Sequence, residues 1–469
     1  MQKKLFGTDG IRDVANTGLL SSESVFRLGT TLGSIVRKQP SAFRNPFAKK
    51  QSRKTTAQFR NCILLGKDTR ISKDLLSDAL KAGIYSSGVN VCDAGIIPTP
   101  ELAFLAKTTG APLAIMISAS HNPYHDNGIK LLSPEGLKIP DSAEKLVENI
   151  FCDPEFNPLR ASGKETGIAV SADNLPALYS EFLLKIFKKA VLLKGKTIVM
   201  DCANGATHKI APEIFRRFGA KVIAEHCAPN GININAACGA LHPECIGKLV
   251  VRNRAFAGFS FDGDGDRVII TDEKGTILDG DYILAISAIF MKRRGQLKGN
   301  TLVTTVMHNL GLKKCMDTHK IKLVQTPVGD KFVAEEMFKG NYALGGEQSG
   351  HIIYRKHSST GDGIITALSM LAIACQTGQK LSELAKILRK FPQVLINVKV
   401  KQKTPFNDIK TISIAAEEIK NTLGDRGRLL LRYSGTEPLA RIMIEGEDQK
   451  LITGYANTLA GIIENELGR

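Results

Sequence analysis

The sequence predicts an α/β fold of several domains, and three observations support this prediction. The chain has 469 residues, which is enough for about three or four domains of roughly 100–200 residues each. Short apolar runs alternate with helical patterns, which is typical of sheets with mostly parallel strands covered by helices. Hydrophobic residues make up 43% of the chain and charged residues 23%, so each domain can bury a core.

The order of the runs divides the chain into domains. Buried strands are predicted at 62–65, 89–92, 113–117, 197–200, 221–224 and 302–306, and helices between them include 74–86 and 211–218. The last part differs, because strand-like runs at 393–400, 428–432 and 440–444 accompany one helix pattern, with a second helix at 450–467. We therefore predict α/β domains over residues 1–167, 168–277 and 278–388 and an α+β domain over 389–469.

The net charge of +17 is concentrated in one segment. Residues 37–60 contain eight basic side chains, no acidic one, and Pro40 and Pro46, which predicts an exposed loop. A solvated insertion is the favoured interpretation, and contact with nucleic acid or an acidic membrane is the alternative. The basic excess elsewhere in the chain suits anionic ligands such as phosphates.

Membrane and secretory proteins are disfavoured. No stretch reaches the roughly 18 apolar residues of a membrane helix, and no apolar segment follows the first lysines as it does in a signal peptide. The nine cysteines are scattered and never spaced C-x-x-C, which fits reduced thiols better than a disulfide framework or a zinc site. We expect a cytoplasmic protein.

The first polar loop has the sequence Ile-Ser-Ala-Ser-His-Asn-Pro at 117–123, followed by Asp-Asn-Gly-Ile-Lys at 126–130. A serine beside a histidine after a strand suits a nucleophile, with His121 or Lys130 moving protons. A structural turn at a strand end is the alternative. The G-x-S-x-G motif of many hydrolases is absent.

The second loop, Phe-Asp-Gly-Asp-Gly-Asp-Arg at 261–267, places three carboxylates on alternate residues, Asp262, Asp264 and Asp266. So dense a set of hard oxygen ligands suits Mg²⁺ or Ca²⁺. An EF-hand is excluded, because Arg267 stands where that loop needs glycine and a strand-like run follows. A solvated acidic turn remains the alternative.

Two further loops offer groups for a sugar and a phosphate. Gly-Gly-Glu-Gln-Ser-Gly-His at 345–351 carries a carboxylate, an amide, a hydroxyl and an imidazole. Arg-Tyr-Ser-Gly-Thr-Glu-Pro at 432–438, with Arg441 beyond it, has the donors of a phosphate clamp. Plain turns are the alternative for both. No Walker A or Rossmann glycine fingerprint occurs.

Taken in order, these segments resemble the α-D-phosphohexomutase superfamily over nearly the whole chain. The resemblance is carried by 6–12 (Phe-Gly-Thr-Asp-Gly-Ile-Arg), 67–70 (Lys-Asp-Thr-Arg), 95–100 (Gly-Ile-Ile-Pro-Thr-Pro), 118–123, 201–205 (Asp-Cys-Ala-Asn-Gly), 262–267, 328–330, 346–351, 360–363 and 432–438. Departures from the usual pattern stand at Asp13, Lys67, Ala240, Leu241, Lys331 and Tyr433.

The resemblance implies three related α/β domains with mixed sheets and a smaller C-terminal domain around a central cleft. It implies phosphoserine at Ser120, with Mg²⁺ held by its phosphate and by Asp262, Asp264 and Asp266. The remaining residues carried over by the resemblance are His121, Lys130, Arg12 and Arg267 for catalysis, and Glu347, Ser349, His351, Arg432, Ser434, Gly435, Thr436 and Arg441 for substrate binding. The general base stays open between His121, Lys130 and His351.

Gln348, together with 233–235 and 238–239, favours the branch of the superfamily that acts on glucosamine phosphates. The implied reaction interconverts glucosamine 6-phosphate and glucosamine 1-phosphate through glucosamine 1,6-bisphosphate, which is both intermediate and activator, and supplies UDP-N-acetylglucosamine and cell-envelope synthesis. Phosphomannomutase or phosphoglucomutase activity is the alternative within the superfamily. A nucleic-acid-binding protein that uses residues 37–60 is the distant one. We expect sugar phosphates as ligands and neither nucleic acid nor membrane insertion, and a homodimer stays open.

Overall fold

The structure, a computed structural model, describes residues 5–7, 9–46, 57–434 and 438–468. The chain divides into two compact units, one formed by Met1–Val306 with Ile321–Lys386 and the other by Met307–Lys320 with Ile387–Arg469. The first unit contains three mixed α/β sheets and the second contains one antiparallel sheet. The predicted boundaries after residues 167, 277 and 388 stay predictions.

The first sheet has five strands in the order β1-β5-β4-β2-β3. The strands are β1 (Ile11–Val14), β2 (Cys62–Lys67), β3 (Asn90–Ile96), β4 (Leu113–Ile117) and β5 (Asp126–Leu132), and the helices are α1 (Ser22–Lys38), α2 (Lys73–Ser86), α3 (Thr99–Thr109) and α4 (Asp141–Cys152). Alternate residues of β2 enter different cores, since Ile63 packs in one cluster and Leu64 in another. Helices therefore cover both faces, as the apolar run at 62–65 predicts.

The second sheet has the order β10-β9-β8-β6-β7. Its strands are β6 (Thr197–Asp201), β7 (Lys221–Glu225), β8 (Ala257–Phe261), β9 (Val268–Thr271) and β10 (Ile277–Leu278), and the helices of this region are α5 (Leu175–Phe187), α6 (Ile210–Arg217) and α7 (Glu244–Arg252). The predicted strands at 197–200 and 221–224 and the helix at 211–218 are each confirmed to within one residue at either end.

The third sheet has the order β12-β11-β13-β14. Its strands are β11 (Thr301–Thr305), β12 (Lys322–Thr326), β13 (Leu344–Gly346) and β14 (Ile352–Tyr354). The helices of this stretch are α8 (Gly280–Arg293), α9 (Leu310–Thr318), α10 (Asp330–Lys339), α11 (Gly363–Thr377) and the short α12 (Leu381–Leu384). Of these helices, α9 lies in the second unit.

Four strands of each sheet share one order, β3-β2-β4-β5, β7-β6-β8-β9 and β12-β11-β13-β14, so the three α/β domains are related as expected. In each, parallel strands are followed by an antiparallel partner, β5 after β4, β9 after β8 and β14 after β13. The turns of these hairpins contain residues 118–125, 262–267 and 347–351, which are the first three loops singled out above. The sheets are mixed, with the parallel pairs that the sequence predicts, and each candidate loop lies where an antiparallel strand is added.

The second unit contains an α+β module around its own core. Strands β15 (Gln393–Lys399), β16 (Gly427–Tyr433) and β17 (Leu439–Gly446) form an antiparallel sheet in the order β15-β17-β16. Helices α13 (Lys410–Leu423) and α14 (Gln449–Leu467) pack their apolar residues in the same cluster as this sheet. The three strands and two helices predicted for residues 393–467 are confirmed.

The basic segment differs from the exposed loop that its composition predicts. Residues 47–56 lie outside the described residues, but both ends of the segment are structured. Arg37 and Lys38 end helix α1, and Phe43 and Phe59 are buried in the cores of the first domain. The aromatic side chains decide this outcome, because their burial stabilises the ends despite the surrounding charge.

The helices show no membrane-spanning segment in the part of the chain that the structure describes. None of them combines the length with the apolar character that a bilayer crossing requires.

Candidate active site

Ser120 lies in the hairpin turn between β4 and β5 and is almost completely buried. Its backbone φ is +51°, a left-handed conformation that costs energy for any residue other than glycine. The Ser120 amide donates to the Ser118 hydroxyl at 2.9 Å, and the Ser120 hydroxyl donates to Oδ2 of Asp262 at 2.6 Å. The strained turn therefore points the hydroxyl at the acidic loop.

Two side chains, the buried Arg70 and the partly buried Asn235, hold the serine loop by its carbonyl groups. The guanidinium of Arg70 donates to the carbonyl of Ser120 at 3.3 Å and to that of Asn122 at 2.5 Å. The side-chain amide of Asn235 donates to the same two carbonyls at 2.8 and 3.0 Å. Arg70 itself pairs with the carboxylate of Asp68, which also accepts from the hydroxyl of Ser118. This network fixes the position of Ser120 relative to the second sheet.

The acidic loop approaches the serine loop closely, and Gly263 makes this possible. A Cβ atom at Gly263 would lie 2.5 Å from the carbonyl oxygen of Ser120. The flanking carboxylates of Asp262, Asp264 and Asp266 are buried, and their oxygen atoms approach within 4.8 Å of one another. The glycines that alternate with the aspartates thus allow three carboxylates and one hydroxyl to lie close together.

The charge of this cluster is balanced in part by Lys130, which lies on β5. Its Nζ is 3.0 Å from Oδ2 of Asp264, 3.2 Å from Asp9 and 3.6 Å from Asp266. Burial alone would lower the pKa of Lys130, but these three carboxylates raise it well above its usual value. Burial and the other two carboxylates of the acidic loop raise the pKa of Asp262. The cluster therefore carries more negative charge than Lys130 neutralises.

Residues at the starts of two neighbouring helices donate hydrogen bonds to the acidic loop. The hydroxyl of Thr99, at the start of α3, donates to Oδ2 of Asp264 at 2.6 Å, and its amide donates to the Asp264 carbonyl at 2.9 Å. The amide of Gly363, at the start of α11, donates to the carbonyl of Gly265 at 3.0 Å. The loop is therefore held by the first and third α/β domains as well as by its own strands.

Two buried carboxyl groups, Glu101 and Asp362, lie at the starts of the same two helices. Asp362 caps α11 and accepts a 2.7 Å hydrogen bond from the Tyr179 hydroxyl. Burial, reinforced by the Asp362 charge, raises the pKa of Glu101 on α3 to about 8, and burial raises that of Asp362 to about 6. Glu101 is therefore largely a neutral carboxylic acid at pH 7.

The acidic loop fits a divalent cation. Its donors are hard oxygen atoms, which Mg²⁺ prefers. Among the described residues, Oδ1 of Asp264 and Oδ1 of Asp266 are buried and make no hydrogen bond. Such orphaned acceptors are costly unless a cation or a donor satisfies them. The Ser120 hydroxyl lies at the same cluster. The structure therefore brings together the serine and the three aspartates that the sequence analysis named as metal ligands.

Cationic and imidazole side chains surround the serine. Arg12 donates to the carbonyl of Ala119 at 3.2 Å, and Nε of Arg267 lies 3.7 Å from Asp266. Burial and the charges of Arg267 and Arg12 lower the pKa of His121 to about 3. His121 is therefore neutral and only weakly basic in the protein alone.

The sugar-loop candidates lie beside the acidic loop. Residues Arg267 and His351 form an antiparallel bridge, and the Val268 amide donates to the Gly350 carbonyl at 3.2 Å. His351 is buried, and its Nε2 accepts from the Gly361 amide at 3.2 Å. Glu347 is also buried, and burial raises the pKa of its carboxyl group. These contacts place loop 347–351 directly against the metal-binding candidates.

An open cavity of about 290 Å³ separates the serine, acidic and sugar loops. Its lining includes His121, Asp262, Arg267, Gln348, Ser349 and the exposed Leu241. Both polar and apolar side chains line the cavity, and its size suits a hexose phosphate better than a macromolecule. Three of the four loops singled out in the sequence therefore meet at one cavity.

The phosphate-clamp candidates belong to the second unit. Arg432 on β16 pairs directly across the sheet with Arg441 on β17, and burial and the charge of Arg441 lower the pKa of Arg432. Like charges opposite each other on a sheet repel, so this pair is suited to sharing an anion. The ammonium of Lys403 donates to the carbonyl of Ser434 at 2.6 Å. Gly435 and Thr436 lie outside the described residues.

Several supporting residues were missed as site residues by the sequence analysis. Asp68, Arg70, Thr99 and Asn235 all contact the serine or acidic loops, and Lys403 contacts the clamp turn. A signal was present for the first three, because 67–70 lies at the end of β2 and 95–100 at the end of β3, and both segments belong to the motifs that carry the family resemblance. Asn235 and Lys403 come from irregular segments that periodicity does not mark.

Comparison with known families covers most of the chain. Residues 3–158, 177–275 and 279–391 match the alpha/beta/alpha domains I, II and III of phosphoglucomutase/phosphomannomutase, and residues 395–462 match its C-terminal domain. Phosphoglucosamine mutases from Syntrophotalea carbinolica and Bdellovibrio bacteriovorus are 45% and 44% identical to this chain. Each alignment covers 100% of this chain and at least 99% of the relative.

Solved structures share the fold at low identity. A phosphoglucomutase/phosphomannomutase family protein from Burkholderia thailandensis is 20% identical, with a TM-score of 0.77 over 99% of both chains. N-acetylphosphoglucosamine mutase from Aspergillus fumigatus, solved with GlcNAc-6P and magnesium, is 18% identical, with a TM-score of 0.66 over 98% of this chain and 95% of the other. A variant of the same fungal enzyme, in complex with glucose 1,6-bisphosphate, also has a TM-score of 0.66, at 18% identity over 99% and 96%.

The family predicted from the motifs and the branch predicted from Gln348 are both confirmed by these similarities. By its four matched domains and its full-length relatives, the chain belongs to the phosphoglucomutase/phosphomannomutase family and, within it, to the phosphoglucosamine mutases.

Proposed function

We propose that this chain is an isomerase that interconverts glucosamine 6-phosphate and glucosamine 1-phosphate by way of a phosphoserine. The observation that carries the proposal is the Ser120 hydroxyl, held 2.6 Å from Asp262 within a buried cluster of three carboxylates. Full-length similarity to phosphoglucosamine mutases supports the choice of sugar.

In the proposed reaction, O1 of glucosamine 6-phosphate attacks the phosphorus of phosphorylated Ser120. The bond between phosphorus and Ser120 Oγ breaks, O1 loses its proton and Ser120 Oγ takes one up, which leaves a bisphosphorylated sugar and a serine hydroxyl. After the intermediate turns around, Ser120 Oγ loses its proton and attacks the phosphorus of the 6-phosphate. The bond between phosphorus and O6 breaks, O6 takes up a proton, and glucosamine 1-phosphate is released. The unphosphorylated geometry suits this second step, because the Ser120 hydroxyl donates a hydrogen bond to Asp262 at 2.6 Å.

The residues that fit a cation are Asp262, Asp264 and Asp266, with Ser120 as a fourth oxygen ligand. A bound Mg²⁺ supplies positive charge that stabilises the transferring phosphoryl group. Lys130 and Arg267 supply further positive charge from the protein itself. Burial disfavours the cationic form of both, but their carboxylate neighbours raise the pKa of each above its usual value, so both stay protonated.

The pKa values of the surrounding side chains reduce the number of candidates for the general base. Lys130 is held cationic by three carboxylates, and His121 has a pKa of about 3, so neither is a strong proton acceptor in the protein alone. Nε2 of His351 already accepts a hydrogen bond from the Gly361 amide, so it is not free to accept a proton. We therefore favour Asp262 as the proton acceptor from Ser120, and Lys130 as a charge-stabilising group.

The sugar and its second phosphate require binding groups away from the reacting phosphorus. We assign the sugar hydroxyls to Glu347 and Ser349, with His351 holding the loop. We assign the phosphate that is not transferred to Arg432, Ser434, Gly435, Thr436 and Arg441. The opposed arginines of β16 and β17 support this assignment, since an anion relieves their repulsion.

The test is an assay of the purified chain with Mg²⁺ against a panel of glucosamine, glucose and mannose phosphates. We expect the highest kcat/KM with glucosamine 6-phosphate and no turnover by Ser120→Ala. A preference for glucose or mannose phosphate would reassign the chain to phosphoglucomutase or phosphomannomutase activity. Turnover by Ser120→Ala would remove the phosphoserine mechanism altogether.

A further inference from the structure

A second group of possible metal ligands lies in the second α/β domain, outside the site described above. Asp201 ends strand β6, His226 follows the end of β7, and Cys238 precedes a short helical turn. Their ligand atoms all lie within 4.8 Å of one another. Asp201 and Cys238 are buried, whereas His226 is partly exposed, so the cluster has one side open to solvent.

The backbone brings these residues together from segments far apart in sequence. Strands β6 and β7 are parallel, with Asp201 beside Glu225, so His226 emerges next to the end of β6. Both oxygens of Asp201 are fixed by the backbone, because the amides of Ala203 and Gly239 each donate to one of them at 2.8 Å. Hydrogen bonds of this kind orient ligating carboxylates in metal sites.

The imidazole of His226 has a buried nitrogen without a hydrogen-bond partner among the described residues. Its φ is +49°, a costly left-handed conformation, and its Nδ1 points to the buried side of the cluster. That nitrogen lies 3.0 Å from Oδ2 of Asp201 but lacks the alignment of a hydrogen bond, and it has no other partner among the described residues. A buried nitrogen aimed at a carboxylate and a thiol is satisfied by a shared cation.

The donor set distinguishes this cluster from the acidic loop. One carboxylate, one imidazole and one thiol form a mixed oxygen, nitrogen and sulfur set, which suits Zn²⁺ and similar borderline cations. Mg²⁺ strongly prefers oxygen ligands and suits Asp262, Asp264 and Asp266 instead. We propose that Asp201, His226 and Cys238 form a second metal site that binds one Zn²⁺ with three protein ligands and a water.

The site adjoins the segment that supports the catalytic serine. The carbonyl of Ala203 accepts from the amide of Asn235 at 2.9 Å, and the Asn235 side chain donates to the Ser120 carbonyl. The amide of Ala206 donates to the carbonyl of Gly263 at 2.8 Å. Metal bound at Asp201 stiffens the loop between Asp201 and Ala206, and therefore also the support of Ser120.

The sequence could not reveal this site by spacing. Its ligands are separated by 25 and 12 positions, and metal motifs such as C-x-x-C require ligands close together. The sequence analysis disfavoured a zinc site because of the cysteine spacing. That argument applies only to ligands close together in sequence, and not to ligands contributed by two strand ends and a loop.

The test uses Co²⁺ as a spectroscopic probe in the full chain with excess Mg²⁺ present. A Co²⁺–thiolate bond gives an intense near-ultraviolet charge-transfer band. Oxygen ligands alone do not give this band, so Co²⁺ bound at the acidic loop does not contribute to it. We expect wild type to develop this band with one equivalent of Co²⁺ and to lose it when Zn²⁺ is added. Asp262→Asn should keep the band, which separates this site from the catalytic one.

Cys238→Ser should abolish the band, and His226→Gln should weaken Zn²⁺ binding by more than about 100-fold, since even outer partners of metal ligands contribute roughly 10- to 100-fold. Cys245→Ser is the matched control, because Cys245 is a neighbouring exposed thiol outside the cluster. Circular dichroism and thermal unfolding check that each variant is folded. No band in wild type, an unchanged band in folded Cys238→Ser, or loss of the band in Cys245→Ser overturns the proposal.

Discussion

The hydroxyl of Thr99 lies 2.6 Å from Oδ2 of Asp264, and the Thr99 amide donates to the carbonyl of the same residue. A residue of the first domain thereby fixes the central carboxylate of a loop in the second. Because Lys130 donates to the same Oδ2 atom, the free acceptor of Asp264 is Oδ1, on the side where a cation fits. This contact makes the geometry of the three carboxylates depend on the packing of two domains.

We expect Thr99→Val to weaken Mg²⁺ activation by roughly 10- to 100-fold, because an outer partner of a metal ligand has been lost. Thr99→Ser keeps the hydroxyl and should retain most of the activity. The measurement is kcat as a function of Mg²⁺ concentration at saturating substrate. Equal activation curves for wild type and Thr99→Val would mean that the hydrogen bond does not position Asp264.

Removing the ligands themselves should have a larger effect. Asp262→Asn, Asp264→Asn and Asp266→Asn each remove one negative charge from the cation site, so kcat should fall steeply in all three. EDTA should inhibit wild type and added Mg²⁺ should restore it. Full activity in rigorously metal-free protein is the result that contradicts this prediction.

The two serines of the first loop should differ in role. Ser118 accepts from the Ser120 amide and donates to Asp68, so Ser118→Ala should lower kcat by about 100-fold or less, as expected for lost hydrogen bonds to charged or strained groups. Ser120→Ala should abolish turnover while the fold is retained. Steady-state kinetics and intact mass on both variants check this, and equal loss in both would show that Ser120 has no special chemical role.

Arg432 should act on binding rather than on serine phosphorylation. We expect Arg432→Ala to weaken sugar-phosphate binding by roughly 2–4 kcal/mol, because a charge-assisted contact to phosphate is lost. KM should rise and kcat should fall, while phosphate on Ser120 persists in the intact mass. Lys450→Ala, an exposed residue of α14, is a control for general loss of positive charge in the same unit. An unchanged KM for glucosamine 6-phosphate in Arg432→Ala would place the phosphate elsewhere.

The buried carboxyl of Glu101 predicts a pH dependence of stability. Its pKa is raised to about 8, so the folded protein holds a proton that the unfolded chain releases near the usual carboxyl pKa. The contribution of Glu101 to the free energy of unfolding is therefore largest at low pH and is lost as the pH rises towards 8. The slope of this loss is at most about 1.4 kcal/mol per pH unit.

Glu101→Gln removes this titration, while Asp362 and Tyr179 remain in place. Chemical denaturation between pH 5 and pH 8 should give a flatter stability profile for the variant than for wild type. Parallel profiles would mean that Glu101 is ionised in the folded protein at neutral pH.

Much of the site could be predicted because its chemistry is local in sequence. The three aspartates lie on alternate residues, and Ser120 lies in a short polar loop, so residue type and spacing already indicated a cation and a nucleophile. The strands at 113–117 and 197–200 were predicted well because buried central strands are continuous apolar runs.

Other features depend on contacts between distant segments and could not be predicted in this way. Asn235 and Thr99 support the site only because the first and second α/β domains pack together. The hairpin position of the three loops became visible only from the pairing of β5, β9 and β14. The ends of the basic segment are ordered because Phe43 and Phe59 enter the cores, which composition alone does not show.

The most direct test of the central claim follows the phosphoryl group of Ser120. Protein carrying radiolabelled phosphate on Ser120 is mixed with unlabelled glucosamine 6-phosphate and Mg²⁺, and the label is followed in protein and sugar under single-turnover conditions. We predict rapid transfer of label from Ser120 to glucosamine 1,6-bisphosphate and then to glucosamine monophosphates, at a rate no slower than kcat. Label that stays on Ser120 while glucosamine 6-phosphate is converted would contradict the phosphoserine mechanism.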